Sequence, residues 1–171
     1  MGERSMDMNH RDAAILELLE QDSRTTPAQI AQMTGMQEGE VKAAIARMEE
    51  EGVLLKYTTV VNHEKLADNG RVQALIEVRI TPQRERGFDA VAERIYRFEE
   101  VKTMYLMSGS YDLMVVLEGT SMRQIALFVS QKLSTLDGVL STATHFILKK
   151  YKDNGVCFET VHQDDRLKVT P

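Results

Sequence analysis

The 171-residue chain contains a single cysteine, Cys157, so no internal disulfide can staple it. Its four histidines, at 10, 63, 145 and 162, are too far apart for a recognised metal-ligand spacing, and no metal is expected. No apolar run approaches the roughly 20 residues needed to cross a bilayer. The opening residues, MGERSMDMNHRD, lack the apolar core of a secretory leader, so a cytoplasmic protein with no membrane partner is expected. There is no phosphate loop, and no nucleophile stands beside a base, so neither an enzyme nor a cofactor is expected. What the chain does have is apolar material, 43 % of its residues, enough for one large core or two small ones. Its charge is mild but uneven. Residues 1–60 hold 11 acids against 6 bases, which accounts for the whole formal net charge of −5.

The N-terminal part reads as three short helices. Asn9 is a possible N-cap with Asp12 three residues on, and Ile15, Leu18 and Leu19 then mark one helical face, with the acids assigned to the other. Thr26-Pro27-Ala28-Gln29 is a capping box with proline at the first helical position, and its helix should run through Met33 to a stop at Gly35. Val41, Ile45 and Met48 define a third helix ending at Gly52. Two helices joined by a tight glycine turn are the arrangement of a helix-turn-helix. Val53–Val61, dense in β-branched and aromatic residues, reads as two strands around a turn near Lys56, a wing. Pattern alone leaves DNA binding and protein contact equally open, because fold does not fix function.

In the C-terminal part the period changes to two. Val72, Ala74, Ile76, Val78 and Ile80 alternate with more polar neighbours, as in a strand with one buried face. Phe88, Val91, Ala92 and Ile95 mark a helix. Strands at Val101–Met107 and Tyr111–Glu118 flank the turn Ser108-Gly109-Ser110. A second helix follows an N-cap at Ser121, and Val139–Lys150 is a fourth strand. This order is the split βαβ, or ferredoxin-like, arrangement. Asp153-Asn154-Gly155 is a hairpin turn, which predicts that Val156–Val161 pairs back on the fourth strand. That extra edge would serve either subunit contact or the chain's own domain. The fold class is therefore α+β. A winged helix-turn-helix spans 1–61, a linker 62–70, a ferredoxin-like domain 71–152, and a hairpin strand and tail 153–171.

These residues resemble a known family. The stretch Asp12-Ala-Ala-Ile15-Leu16, then Ile30-Ala31, Gly35-Met36, Val41, Glu49-Glu50-Glu51-Gly52-Val53 and Tyr57 is similar to the winged helix of leucine-responsive/asparagine (Lrp/AsnC) regulators. Met107-Ser108-Gly109-Ser110-Tyr111-Asp112-Leu113, Gly138-Val139, Thr142 and Thr144 resemble that family's ligand-sensing domain. The resemblance covers about residues 9–150. It implies a transcription regulator of double-stranded operator DNA that dimerises through its sheets and assembles to tetramers or octamers, tuned by an amino acid or related metabolite.

One departure lies in the third helix, where the family usually carries serine or threonine near the start and several basic residues through the middle. Here Ala43, Ala44 and Ala46 stand where bases are common, and only Lys42 and Arg47 remain. Gln37, Glu40, Lys42, Ala43 and Arg47 are the base-contact candidates, with Thr25, Thr26 and Lys56 on the phosphate backbone. Arg47 has an alternative role, pairing with Glu50 or Glu51 on its own helix. A head this acidic should bind weakly alone, so several heads on one assembly are needed to hold an operator.

For the effector, Gly109 would let backbone N–H groups approach a carboxylate, and Asp112 offers a partner for an ammonium. Met104, Met107 and Tyr111 would line the pocket with Ser108 and Ser110, and Thr144 is a weaker candidate. From the residues alone, Gly109 could equally just make the turn while Asp112 caps local backbone. The resemblance places the effector here. Two rival functions stand beside regulation. One is a ligand-responsive assembly protein with weakened DNA binding. The other is an enzyme like the siroheme decarboxylases, which share this two-domain plan and would need more polar groups around His145.

Overall fold

In the computed structural model, which describes residues 10–66, 70–82 and 87–158, the chain divides into two units, Met1–Val61 and Asn62–Pro171. The first holds helices α1 (His10–Gln21), α2 (Pro27–Thr34) and α3 (Glu38–Glu50). Asn9, the expected cap of α1, lies outside the described residues. The cap of α2 is as expected: Gln29 N–H donates to the Thr26 hydroxyl at 3.3 Å, and Thr26 N–H donates to the Gln29 side chain at 2.8 Å. Two of the donors that a helix start leaves open are thereby satisfied. Gly35, at φ 73°, ends this helix in the left-handed region. Ile15, Leu19, Ile30, Ala31, Val41 and Met48 make the core, joined by Ile45, Leu16 and Leu54.

Two expectations fail in this unit. Asp12 does not lie with the other acids on the outer face of α1; its side chain is 8 % exposed and meets Arg47. Nor is there a strand among residues 53–61, so the wing is an extended stretch without a ladder. Of its apolar residues only Leu54 joins the core, while Leu55 is 86 % exposed. β-propensity needs a partner strand and a buried face, and an isolated hairpin is marginal in water. The stretch is held instead by single bonds: Ser23 hydroxyl to the Thr58 carbonyl, and Tyr57 hydroxyl to Glu49.

The second unit contains β1 (Val72–Ile80), α4 (Asp89–Tyr96), β2 (Val101–Leu106), β3 (Leu113–Gly119), α5 (Met122–Phe128) and β4 (Val139–Phe146). The last turns of the α5 segment, Val129–Leu133, widen to π-helical geometry. The sheet is antiparallel in the order β2-β3-β1-β4, as the ferredoxin-like reading requires. Ala74, Ile76, Val78 and Ile80 face Val91 and Ile95 of α4 and Ile125 and Phe128 of α5 in one core. Burying a Val, Leu or Ile side chain contributes about 1.5–3 kcal/mol, so this interdigitated layer dominates the unit's stability. Gly138 has no substitute at its corner: its φ is 93°, and a Cβ there would lie 2.9 Å from the Val91 Cγ2 methyl.

β4 is shorter than expected, ending at Phe146 rather than Lys150, though Ile147 N–H still donates to the Gln73 carbonyl at 2.9 Å. The hairpin at Asp153-Asn154-Gly155 forms, with φ 45° at Asn154 and 80° at Gly155. Its strands β5 (Lys152–Asp153) and β6 (Val156–Cys157) pair with each other and not with β4, which overturns the expected extra edge. A two-residue turn returns the chain onto the residues just before it, and by then β4 has ended. Residues 159–161 of the expected strand, and the tail beyond, lie outside the described residues.

Candidate DNA-contact and effector sites

The exposed surface of α3 begins with its own cap. Glu40 accepts the Gln37 N–H at 3.1 Å and also faces Arg11 at 3.5 Å. Lys42 meets Glu38 one turn back at 2.6 Å. Ala43 and Ala46 are exposed between these charges. Arg47 turns back into the domain: its Nη2 donates to both Asp12 oxygens at 2.8 Å, and its Nη1 to Glu51 at 3.2 Å. These acids, Asp12 foremost, hold the guanidinium pKa above its ordinary value.

The two threonine candidates for backbone contact are equally occupied. Thr26 is the cap of α2, and the Thr25 hydroxyl donates to the Asp22 carbonyl at 2.7 Å. Arg24 grips Asp22 through Nε and Nη2 at 3.0 and 2.9 Å, which lowers the Asp22 pKa to about 2. Lys56 is exposed in the irregular stretch after α3. Tyr57 has its pKa raised, first by burial and then by the Glu49 carboxylate it donates to. The face therefore offers ammonium, hydroxyl and small apolar groups, with an acid beside both cations of α3.

In the second unit β2 and β3 meet at the turn expected to bind the effector. Met107 N–H donates to the Asp112 carbonyl at 2.8 Å and closes it. Gly109 at its tip has φ 149°, a conformation side chains rarely adopt, and Met107, Ser108 and Ser110 are exposed around it. Asp112 joins the turn to β1. Its N–H donates to the Val78 carbonyl at 3.0 Å, and its Oδ2 accepts the Ile80 N–H at 2.8 Å. β3 begins at Leu113, so the carboxylate takes the place of a ladder carbonyl for Ile80, whose side of β4 is already bulged at Arg79/Ile80.

Tyr111 is half-buried beside this junction, whereas Met104 faces the helix side of the sheet and packs on the core. Thr144 pairs with Ile76 on β4, beyond β1. Two strand spacings of about 4.8 Å and several residues of about 3.3 Å rise separate it from Asp112. One chain thus gathers Met107, Ser108, Gly109, Ser110, Tyr111 and Asp112, and leaves Thr144 apart. His145 lies on the other face of the sheet, 3.3 Å from Glu77.

The sequence reading missed the Asp12–Arg47 link. Asp12, Ile15 and Leu19 share one helical face at i, i+3 and i+7, so the spacing carried the signal. It also missed the bond from Asp112 to Ile80, which crosses 32 residues and leaves no local pattern.

Residues 8–54 match a winged helix-turn-helix DNA-binding family, and residues 73–157 match the Lrp/AsnC ligand binding domain. The chain is 50 % identical over 166 residues to an uncharacterized HTH-type transcriptional regulator of Bacillus subtilis, covering 97 % of this chain and all of the relative. It is 32 % identical to the HTH-type transcriptional regulator LrpA of Pyrococcus horikoshii, over 85 % of this chain and 99 % of that one. Its fold is similar to a transcriptional regulator of Neisseria meningitidis crystallised with L-methionine. The TM-score is 0.67 at 21 % identity, over 85 % of this chain and 92 % of that one. The helix-turn-helix unit and the ligand-binding unit thus occur here in the family's order, and the chain belongs to the Lrp/AsnC family of DNA-binding transcriptional regulators.

Proposed function

We propose that this regulator responds to an amino acid bound at the 107–112 turn, and that the ligand tunes an assembly of several chains holding one operator in the cytoplasm. The observation that carries the reading is the junction at Asp112, where an exposed glycine turn, a carboxylate and the end of β1 meet. Turn N–H groups would receive the ligand carboxylate and Asp112 its ammonium, with Met107 and Tyr111 against its side chain. The Neisseria regulator crystallised with L-methionine gives the ligand class precedent within this fold. Met104 and Thr144 would contribute only through a neighbouring subunit or not at all. Dimers formed through the sheets, and tetramers or octamers of them, would supply such neighbours.

On the DNA side, Gln37, Glu40, Lys42 and Ala43 are proposed to face base edges, and Thr25, Thr26 and Lys56 the phosphates. Arg47 serves to hold α3 against α1. Few cations then remain per head, so avidity across heads, worth roughly 10²–10⁴ when geometry permits, is required.

The experiment is a mobility shift on the protein's own promoter at two salt concentrations, with and without each of the twenty amino acids, joined to calorimetry. Asp112→Asn is the control of choice, because it keeps an acceptor for Ile80 N–H and removes the charge that an ammonium needs. An amino acid that binds the protein, fails to bind the variant and shifts the DNA complex supports the reading. Equal binding by the variant would sink it.

A second reading has its own observation, the pairing of both α3 cations with acids. It is a ligand-responsive assembly protein whose helical unit contacts protein. No DNA complex even at low salt, with amino-acid binding retained, would favour it.

A further inference from the structure

We propose that Tyr57 and Ser23 are positioning residues for DNA binding: in place of a β ladder, they pin the stretch after α3 so that Lys56 is held ready for a DNA phosphate. This rests on the reading of Lys56 as a phosphate contact. Of the three cations named for DNA contact, Lys42 and Arg47 meet acids of their own unit. Lys56 has no acid partner among the described residues, so its charge stays available to a polyanion.

The chain is fixed on both sides of Lys56. Before it, the N–H groups of Val53 and Leu54 both donate to the Met48 carbonyl, at 2.8 and 3.0 Å, and Leu54 packs on the helical core. After it, the Tyr57 hydroxyl donates to Glu49 Oε1 at 2.9 Å, and the Ser23 hydroxyl to the Thr58 carbonyl at 3.1 Å. Only Leu55 and Lys56 lie between these anchors, and the three steps from Leu54 to Tyr57 span at most about 11 Å.

The two later bonds run to different elements. Glu49 belongs to α3, the helix proposed to read bases, whereas Ser23 lies in the loop that also carries Thr25, a proposed phosphate contact. Lys56 is thereby tied to both parts of the DNA-facing surface at once. The Tyr57 phenol keeps its proton for this bond across the neutral range, since burial and then the Glu49 carboxylate raise its pKa. A lysine on a loose strand would lose backbone freedom on meeting a phosphate, and that loss would offset the contact. Here the folded unit has already imposed the order. Both bonds are exposed and compete with water, so their contribution to stability is small and their effect is on position.

The test is fluorescence anisotropy of the full chain on a duplex of its own promoter at several salt concentrations, for Lys56→Gln, Tyr57→Phe, Ser23→Ala and each tether variant combined with Lys56→Gln. Loss of one phosphate contact in Lys56→Gln should weaken binding about fivefold to tenfold near 0.1 M salt and flatten the plot of log affinity against log salt by about one per bound head. Tyr57→Phe and Ser23→Ala should each weaken binding at least about twofold and flatten the same slope in part, with melting temperatures within about 3 °C of the parent. In the Lys56→Gln background neither should have any further effect, which separates positioning of Lys56 from a general role in the fold. Weakened binding by Lys56→Gln with parent-like binding by both tether variants, or tether losses that simply add to that of Lys56→Gln, would overturn the inference and leave the DNA reading standing. Parent affinity and slope in Lys56→Gln, or no complex even at low salt, would overturn the contact and its positioning together.

Discussion

Both cations of α3, Lys42 and Arg47, meet acids of their own unit, whereas in the sheet unit Lys102 and Lys149 are oriented by a carbonyl and a ring. The same residue type is thereby turned to different ends. Ion pairing inside the helical unit organises three short helices that have little core, and reduces the field available to a polyanion. The two aspartates that bridge elements differ in the same sense. Asp12 binds another charge, so its loss would leave an arginine that can turn to water. Asp112 binds a backbone N–H of a residue that is 3 % exposed and cannot move.

The most disruptive way to break the contrast is Arg47→Met, which strands the Asp12 carboxylate at 8 % exposure. Leaving a buried carboxylate without its partner costs more than removing both groups, so the melting temperature should fall by several degrees, on the order of 5 °C. Asp12→Leu combined with Arg47→Met should recover most of that fall. An unchanged melting temperature with lost DNA binding would instead make Arg47 a phosphate contact. Next comes Asp112→Ala, which leaves the Ile80 N–H without its acceptor and should cost about 1–3 kcal/mol in urea denaturation. Asp112→Asn should restore most of it.

Thr26→Ala removes the cap of α2 and should cost about 1 kcal/mol by the same measurement. The smallest effect concerns Asp22, whose pKa is lowered to about 2 by Arg24 from an ordinary 3.8. A depressed folded-state value stabilises above the unfolded pKa, and that contribution disappears as the pH falls through the folded one. The slight stability advantage over Asp22→Asn at pH 7 should therefore vanish between about pH 4 and pH 2.

The helices, the sheet order and the caps at Thr26 and Ser121 were legible because they rest on short-range signals, an apolar period or a side chain three residues from its N–H. The wing was not. Val53–Val61 has the composition of strands, but a strand exists only with a partner, and no turn residue at Lys56 brings one into place. Among the site residues, the turn 107–112 was readable from its glycine, while the bond from Asp112 to Ile80 depends on where β3 starts relative to β1. Arg47 was read as a base contact, with pairing to Glu50 or Glu51 on its own helix as the other reading. Its contact with Glu51 fits that reading, and its shorter contacts, to Asp12, come from 35 residues away.

β1 is hydrogen-bonded on both sides, to β3 from Val72↔Gly119 and to β4 as far as Ala74↔Phe146. During synthesis its apolar residues leave the ribosome long before either neighbour exists. At about 5–20 residues per second, the 66 residues from Ile80 to Phe146 take roughly 3–13 s to be made. Through that interval Glu77 and Arg79, the charged positions of a mainly apolar strand, stand between the nascent chain and aggregation. The helical unit, whose contacts are local, has by then had ample time to fold.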